Sequence, residues 1–165
     1  PEDQLMSEFV DQVTAIKHLP WADAVRTGKV KFLDDAPHRA YVELCRKQSL
    51  VPPPKRDEFR VVFTPLHGCG GFCAGETLEA QGFAPIAVPE QATPDGQFPN
   101  VTKTPNPEVP ECMDRAEAKA RETKADLVLA TDPDADRLGG LASTSPAGGG
   151  TFRAITGHEI AALLT

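Results

Sequence analysis

Asp126-Leu127-Val128-Leu129-Ala130-Thr131-Asp132-Pro133-Asp134-Ala135-Asp136-Arg137 is the stretch on which the reading of this chain turns. Its first half is a short apolar run of the kind that forms a strand covered on both faces. Its second half carries three carboxylates at alternate positions and then a permanently charged guanidinium. Alternate residues of an extended segment point the same way, so Asp132, Asp134 and Asp136 are predicted to converge on one hard divalent cation. Pro133 and Ala135 act as small, stiff spacers. Mg²⁺ is the expected occupant, because it takes oxygen ligands and completes its shell with phosphate or water. Arg137 places a planar donor beside it.

Two plainer readings compete. Asp and Pro form turns, but three alternating carboxylates repel one another unless a cation or an arginine neutralises them. A calcium loop of the EF-hand type fails on spacing. Its sixth position holds Arg137 where glycine is needed, and its twelfth holds Ser143 where a bidentate glutamate is needed.

Working outward, Arg60–Thr64 reads as another buried strand leading into the turn Thr64-Pro65-Leu66-His67-Gly68-Cys69-Gly70-Gly71. A helix is expected from Gly70 to Gly82, a strand over Pro85–Val88, and a charged helix over 108–123 with Met113, Ala116 and Ala120 on one side. Leu138–Ala142 and Phe152–Ile155 are expected to pair across a glycine-rich turn from Ser143 to Gly150. A last helix is read over Gly157–Leu164. Upstream, residues 4–18 carry an apolar helical stripe (Leu5, Met6, Phe9, Val10, Val13, Ile16) broken at Pro20. Lys29–Leu33 alternates like a strand. A helix follows Asp35, with Ala40, Tyr41, Leu44 and Cys45 on one face, and Val51–Lys55 reads as an extended connector. Alternating strands and helices make the class α/β, and the closing hairpin makes the sheet mixed.

The Asp loop resembles the magnesium loop of the α-D-phosphohexomutases, in the form found in the phosphoglucomutase and phosphopentomutase branch. The glycine turn, Phe98-Pro99, Pro105-Asn106-Pro107-Glu108 and Thr156-Gly157-His158-Glu159-Ile160 resemble that family in order and spacing, from about Asp34 onward. The resemblance implies a three-layer α/β/α domain with a small mixed sheet, the second of four domains. On that basis residues 1–33 are the tail of domain one, 34–155 domain two, and 156–165 the start of domain three.

The resemblance further implies phosphoryl transfer within a sugar phosphate, through a phosphoserine and a bisphosphate intermediate. Asp132, Asp134 and Asp136 would hold Mg²⁺ together with a phosphoserine oxygen. Arg137 would contact the phosphoserine or a substrate phosphate, with a structural ion pair to a neighbouring Asp as the competing role. Glucose 1,6-bisphosphate is the implied activator, and the partners are a phosphosugar and the missing domains of the same polypeptide. No Ser-His-Asn-Pro stretch is present for the phosphoserine, so the chain alone is expected to be inactive. The choice among glucose, mannose, ribose and deoxyribose phosphates is left open.

Gly68-Cys69-Gly70-Gly71 between strand and helix, with Glu90 after the next strand, suggests a Rossmann-like nucleotide module. The third glycine of that pattern falls at Cys73, so tight turning and close packing is the preferred role. A non-catalytic homologue would leave the three Asp without a use. His67 is read first as a hydrogen-bonded turn residue, and His158 with Glu159 as capping and packing. Asn106 and Glu108 read as a turn and a helix-terminal charge. With 24 acidic against 17 basic residues and a net charge of -7, no basic stripe offers a nucleic-acid footprint. No apolar run reaches membrane-spanning length. Cys45, Cys69, Cys73 and Cys112 form no Cys-x-x-Cys pair and read as reduced structural thiols. The expected location is cytoplasmic.

Overall fold

The structure, a computed structural model, describes residues 2–49, 59–145, 148 and 150–165. It divides into two compact units, Pro1–Asp35 and Ala36–Thr165. The expected connector Val51–Lys55 lies outside the described residues.

In the first unit, α1 (Glu2–Asp11) and α2 (Trp21–Arg26) are the regular elements. α1 ends at Asp11, well before Pro20, so Val13 and Ile16 lie off the helix. Its apolar stripe is exposed throughout, so among the described residues burial of that face does not carry the helix further. The predicted strand Lys29–Leu33 does not form. A strand needs a neighbouring ladder; here residues 27–28 form a turn, 29–30 a bend and 31–33 irregular chain, with Phe32 set edge-on to Trp21 at 6.2 Å.

The second unit is built on a five-stranded mixed sheet in the order β2-β1-β3-β4-β5. The strands are β1 (Val61–Thr64), β2 (Ile86–Ala87), β3 (Leu127–Thr131), β4 (Leu138–Ser143) and β5 (Phe152–Ile155). β1 runs parallel to both β2 and β3, and β3, β4 and β5 form antiparallel pairs. Its four residues are buried, as expected for a strand between two layers.

Period-2 alternation assigns the faces. Val62, Val128, Ala130 and Leu141 meet Met113, Ala116 and Ala120 in the main core. Those last two residues belong to α5 (Asp114–Thr123), which follows a short 3₁₀ turn at Pro110–Cys112. Small alanines let this helix sit close to the sheet. Phe63, Leu129 and Thr131 face the opposite way, toward α3 (Ala36–Lys47) and α4 (Glu76–Ala80). This second helical layer is looser: neither helix buries a residue completely, and a cavity of about 300 Å³ remains between it and the sheet.

Two further expectations are corrected. The helix expected from Gly70 begins as a π-helical turn, Gly71–Gly75, and is α-helical only from Glu76. The π geometry is confined to this one turn, the form in which it mostly occurs. Of the predicted α3 face, Tyr41 and Cys45 border the cavity while Leu44 is exposed. The last helix, α6 (Gly157–Leu164), forms as expected and opens with a reciprocal capping box between Thr156 and Glu159. Arg153 also bonds Glu159, 2.7 Å away. Asn106 accepts from the Glu108 N–H in a local turn.

Candidate metal centre

β1 and β3 are parallel neighbours, with Thr64 in register with Ala130. Their carboxyl ends therefore deliver the glycine turn and the Asp loop side by side, where open α/β sheets gather ligands. The carboxylates of Asp132, Asp134 and Asp136 each offer an oxygen within 4.8 Å of the others. The predicted convergence is present, and its cause is different. Residues 133–135 form a turn, and Ala135 adopts a left-handed φ of 61°. Folding of the backbone brings the three Asp together; side-chain alternation does not.

The three are unequal. Asp132 is fully buried, whereas Asp134 and Asp136 are exposed. Asp132 Oδ1 accepts from the Arg137 backbone N–H at 2.9 Å, and its Oδ2 accepts from Arg137 Nε at 2.7 Å. Arg137 Nε also lies 3.7 Å from Asp136 Oδ1, and its side chain is half exposed. The guanidinium is thus anchored to Asp132 while the rest of it fronts the loop. The structural ion pair, read as the competitor to phosphate contact, is present and leaves room for both roles.

Burial works to raise the pKa of Asp132, but the hydrogen bonds from the Arg137 backbone and side chain outweigh it and hold the carboxyl below its ordinary value. Asp136 is pushed up, first by the charge of Asp134 and then by that of Asp132. Arg137 is pushed up chiefly by its hydrogen bond to Asp132. By linkage, Asp132 stabilises the fold above its unfolded pKa, and that contribution is lost as pH falls through its folded value. Asp136 has the opposite sign, since ionising it works against the fold. We therefore expect Asp136→Asn to melt above the wild type in chelator-treated buffer at pH 7. The difference should close as pH falls below the ordinary aspartate value of 3.8. A lower melting temperature for the variant at pH 7 would refute this balance.

The glycine turn is the Asp loop's support. Leu66 and His67 both take left-handed φ values, 47° and 64°, a conformation that non-glycine residues hold only when their surroundings enforce it. The His67 N–H donates to Gln91 O at 2.9 Å and the Gly68 N–H to Pro65 O at 2.7 Å. Thr64 Oγ1 donates to Gln91 Oε1 at 2.8 Å, and Gln91 Nε2 donates to Asn100 O at 2.8 Å. Gln91 is fully buried. It braces the turn, and nothing in a polar loop rich in Pro, Asp and Gly singles it out.

The Cys69 N–H donates to Pro133 O at 2.8 Å. A Cβ at Gly68 would lie 2.2 Å from Pro133 Cα, and one at Gly70 would lie 2.2 Å from Thr131 Oγ1. These glycines are required because the Asp loop lies directly on them. That packing fills the space a dinucleotide pyrophosphate would need at Gly68, and Glu90 faces Arg115 at 3.8 Å. The nucleotide reading loses its support. His67 is buried, and its Nδ1 donates to Thr93 O at 2.9 Å, the hydrogen-bonded turn role expected of it. His158 and Glu159 lie apart from the loop, on α6.

A domain of α/β/α type, with an arginine-braced, all-oxygen cluster at the carboxyl ends of its parallel strands, is the class that fold and site define. Residues 39–144 match the family described as "Phosphoglucomutase/phosphomannomutase, alpha/beta/alpha domain II". The probable phosphomannomutase of Haemophilus influenzae is 34% identical over 167 residues, covering 99% of this chain and 32% of its own length. The human phosphopentomutase is 40% identical over 112 residues, 67% of this chain and 18% of its own length. A solved phosphoglucomutase/phosphomannomutase family protein from Burkholderia thailandensis aligns with a TM-score of 0.55 at 26% identity, over 70% of this chain and 22% of that one. The chain belongs to the phosphoglucomutase/phosphomannomutase family and carries its domain II. It spans about a third or less of the length of these relatives. Among the described residues, no helix is long and apolar enough to cross a membrane.

Proposed function

We propose that this chain is the metal-binding domain of a phosphosugar mutase, with Asp132, Asp134 and Asp136 as the ligands of one Mg²⁺. The observation that carries this reading is the convergence of three carboxylates, two of them exposed, on a loop braced by Arg137. The donor set suits the ion: all oxygen, with no thiol or imidazole. The three oxygens lie within 4.8 Å of one another, a spacing on the scale of one ion's oxygen shell. When bound, the ion would neutralise charge on the phosphoryl group in transit.

The residues divide the remaining work. Asp132 holds Arg137 in place, and the half-exposed Arg137 offers a phosphate a donor whose charge does not titrate near neutrality. Asp134 and Asp136 face solvent and form the open side of the site. The whole reaction would interconvert sugar 1-phosphate and sugar 6- or 5-phosphate through a phosphoserine on another domain. Residues 1–33 and 156–165 would then belong to flanking domains one and three, and this chain alone would be inactive. A cytoplasmic setting accords with four cysteines that form no disulfide.

The test is Mn²⁺ titration of this chain, followed by electron paramagnetic resonance with Mg²⁺ as competitor. Asp134→Asn should weaken binding about tenfold or more and leave the far-ultraviolet circular dichroism unchanged. Unaltered affinity in that variant would remove the carboxylates as ligands. Turnover of glucose 1-phosphate or ribose 1-phosphate by a polypeptide containing this domain, lost on chelation, tests the activity itself.

A further inference from the structure

Away from the Asp loop, α3, the π-helical turn and the first residue of α4 bring together an imidazole, a thiol and a carboxylate. His38 Nε2 lies 2.7 Å from Glu76 Oε2. A carboxylate accepts and does not donate, so Nε2 carries the hydrogen and Nδ1 of the neutral ring carries the lone pair. That lone pair faces Cys73 Sγ at 4.0 Å. The edge-on ring of Phe72, 6.2 Å away, flanks the imidazole. Nucleophile, base and a group that orients the base are thus in sequence, the arrangement that activates thiols.

Cys73 is partly exposed and sits in the middle of the Gly71–Gly75 turn. Cys45 borders the same cavity beside Tyr41. The remaining walls include Thr131, which precedes the Asp loop, and Ala135 within it.

We propose that Cys73 is a thiol-modification site that reacts with small disulfides of the glutathione class, with His38 as its base and Glu76 as the residue that positions His38. His38 Nδ1 takes the thiol proton, and Cys73 Sγ attacks one sulfur of the disulfide. The new S–S bond forms as the old one breaks. The departing thiolate recovers the proton from His38. One disulfide is consumed and one mixed disulfide is made, so no other oxidant enters. The alternative is that the His38–Glu76 pair only pins α3 to α4.

The test uses this chain with oxidised glutathione at pH 7, quenched over time by alkylation of the remaining thiols. Chymotryptic cleavage after Phe72 separates Cys73 from Cys69, and the masses of the two peptides give both rates. Cys69 is exposed and serves as the internal reference. Cys73 should react about tenfold faster than Cys69. His38→Gln should remove that advantage without changing the Cys69 rate, and Glu76→Gln should reduce it. If His38→Gln melts early, Glu76→Gln decides, because Glu76 is half exposed. Equal rates for the two thiols, or a Cys73 rate indifferent to both substitutions, would overturn the proposal.

Discussion

Replacing Gly68 with alanine is expected to destabilise the second unit by about 3 kcal/mol, at the upper end of overpacking costs. The added methyl would lie 2.2 Å from Pro133 Cα, 2.4 Å from Pro133 O and 2.6 Å from Pro133 C. All three are backbone atoms, so no rotamer change relieves the clash, and the glycine turn and the Asp loop must separate. Separation breaks the Cys69–Pro133 hydrogen bond and shifts the turn that gathers the carboxylates. Mn²⁺ affinity should therefore fall along with stability. Gly75→Ala is the control. Its Cβ would meet only Phe63 Cε1 at 4.0 Å, and its helical φ of -58° suits alanine. That substitution should stabilise by about 0.5 kcal/mol, by restricting the unfolded chain. Denaturant unfolding followed by circular dichroism reads both, and equal midpoints would show that the Gly68 contact does not constrain the loop.

Asp132→Ala is the second large effect, with an expected loss of about 3 kcal/mol, the scale of charge-assisted hydrogen bonds left without an acceptor. The Arg137 backbone N–H and Nε both lose their partner. Arg137 is half exposed, so water can solvate the guanidinium, which keeps the loss below that of a fully buried pair. Metal affinity should vanish with it. The contrast with Asp134→Asn is diagnostic, since that change should cost metal and not fold. If Asp132→Ala unfolds no earlier than Asp134→Asn, Asp132 is a ligand without an architectural role.

Much of this is legible in the sequence alone. β1 and β3 read as buried strands because Val61–Phe63 and Leu127–Ala130 are short, continuous and β-branched or leucine-rich, a pattern fixed by burial on both faces. The β4–β5 pairing and the capping role of Glu159 follow from equally local rules, while its partner Thr156 emerged only in the structure. Local pattern misled where tertiary partners decide. Lys29–Leu33 alternates but has no ladder to join, and the α1 stripe outruns its helix. Gln91, buried and bonded at both ends of its amide, carries no sequence signal because polar residues in loops are ordinarily exposed. The cysteines looked inert because neither spacing nor composition places His38 beside Cys73, 35 residues away.

By itself, the sequence determined the α/β class, the mixed sheet and the identity of the three carboxylates with their arginine, since each rests on side-chain type and short-range spacing. Only the tertiary structure decided how those carboxylates meet and that they are unequal. Parallel pairing of β1 with β3 lays the glycine turn against Pro133, turns the chain through a left-handed Ala135, and buries Asp132 under Arg137. The physical reason is that burial and strain are properties of contacts between distant segments, and an alternating Asp motif has the same spacing whether its first member is sealed in the protein or open to water.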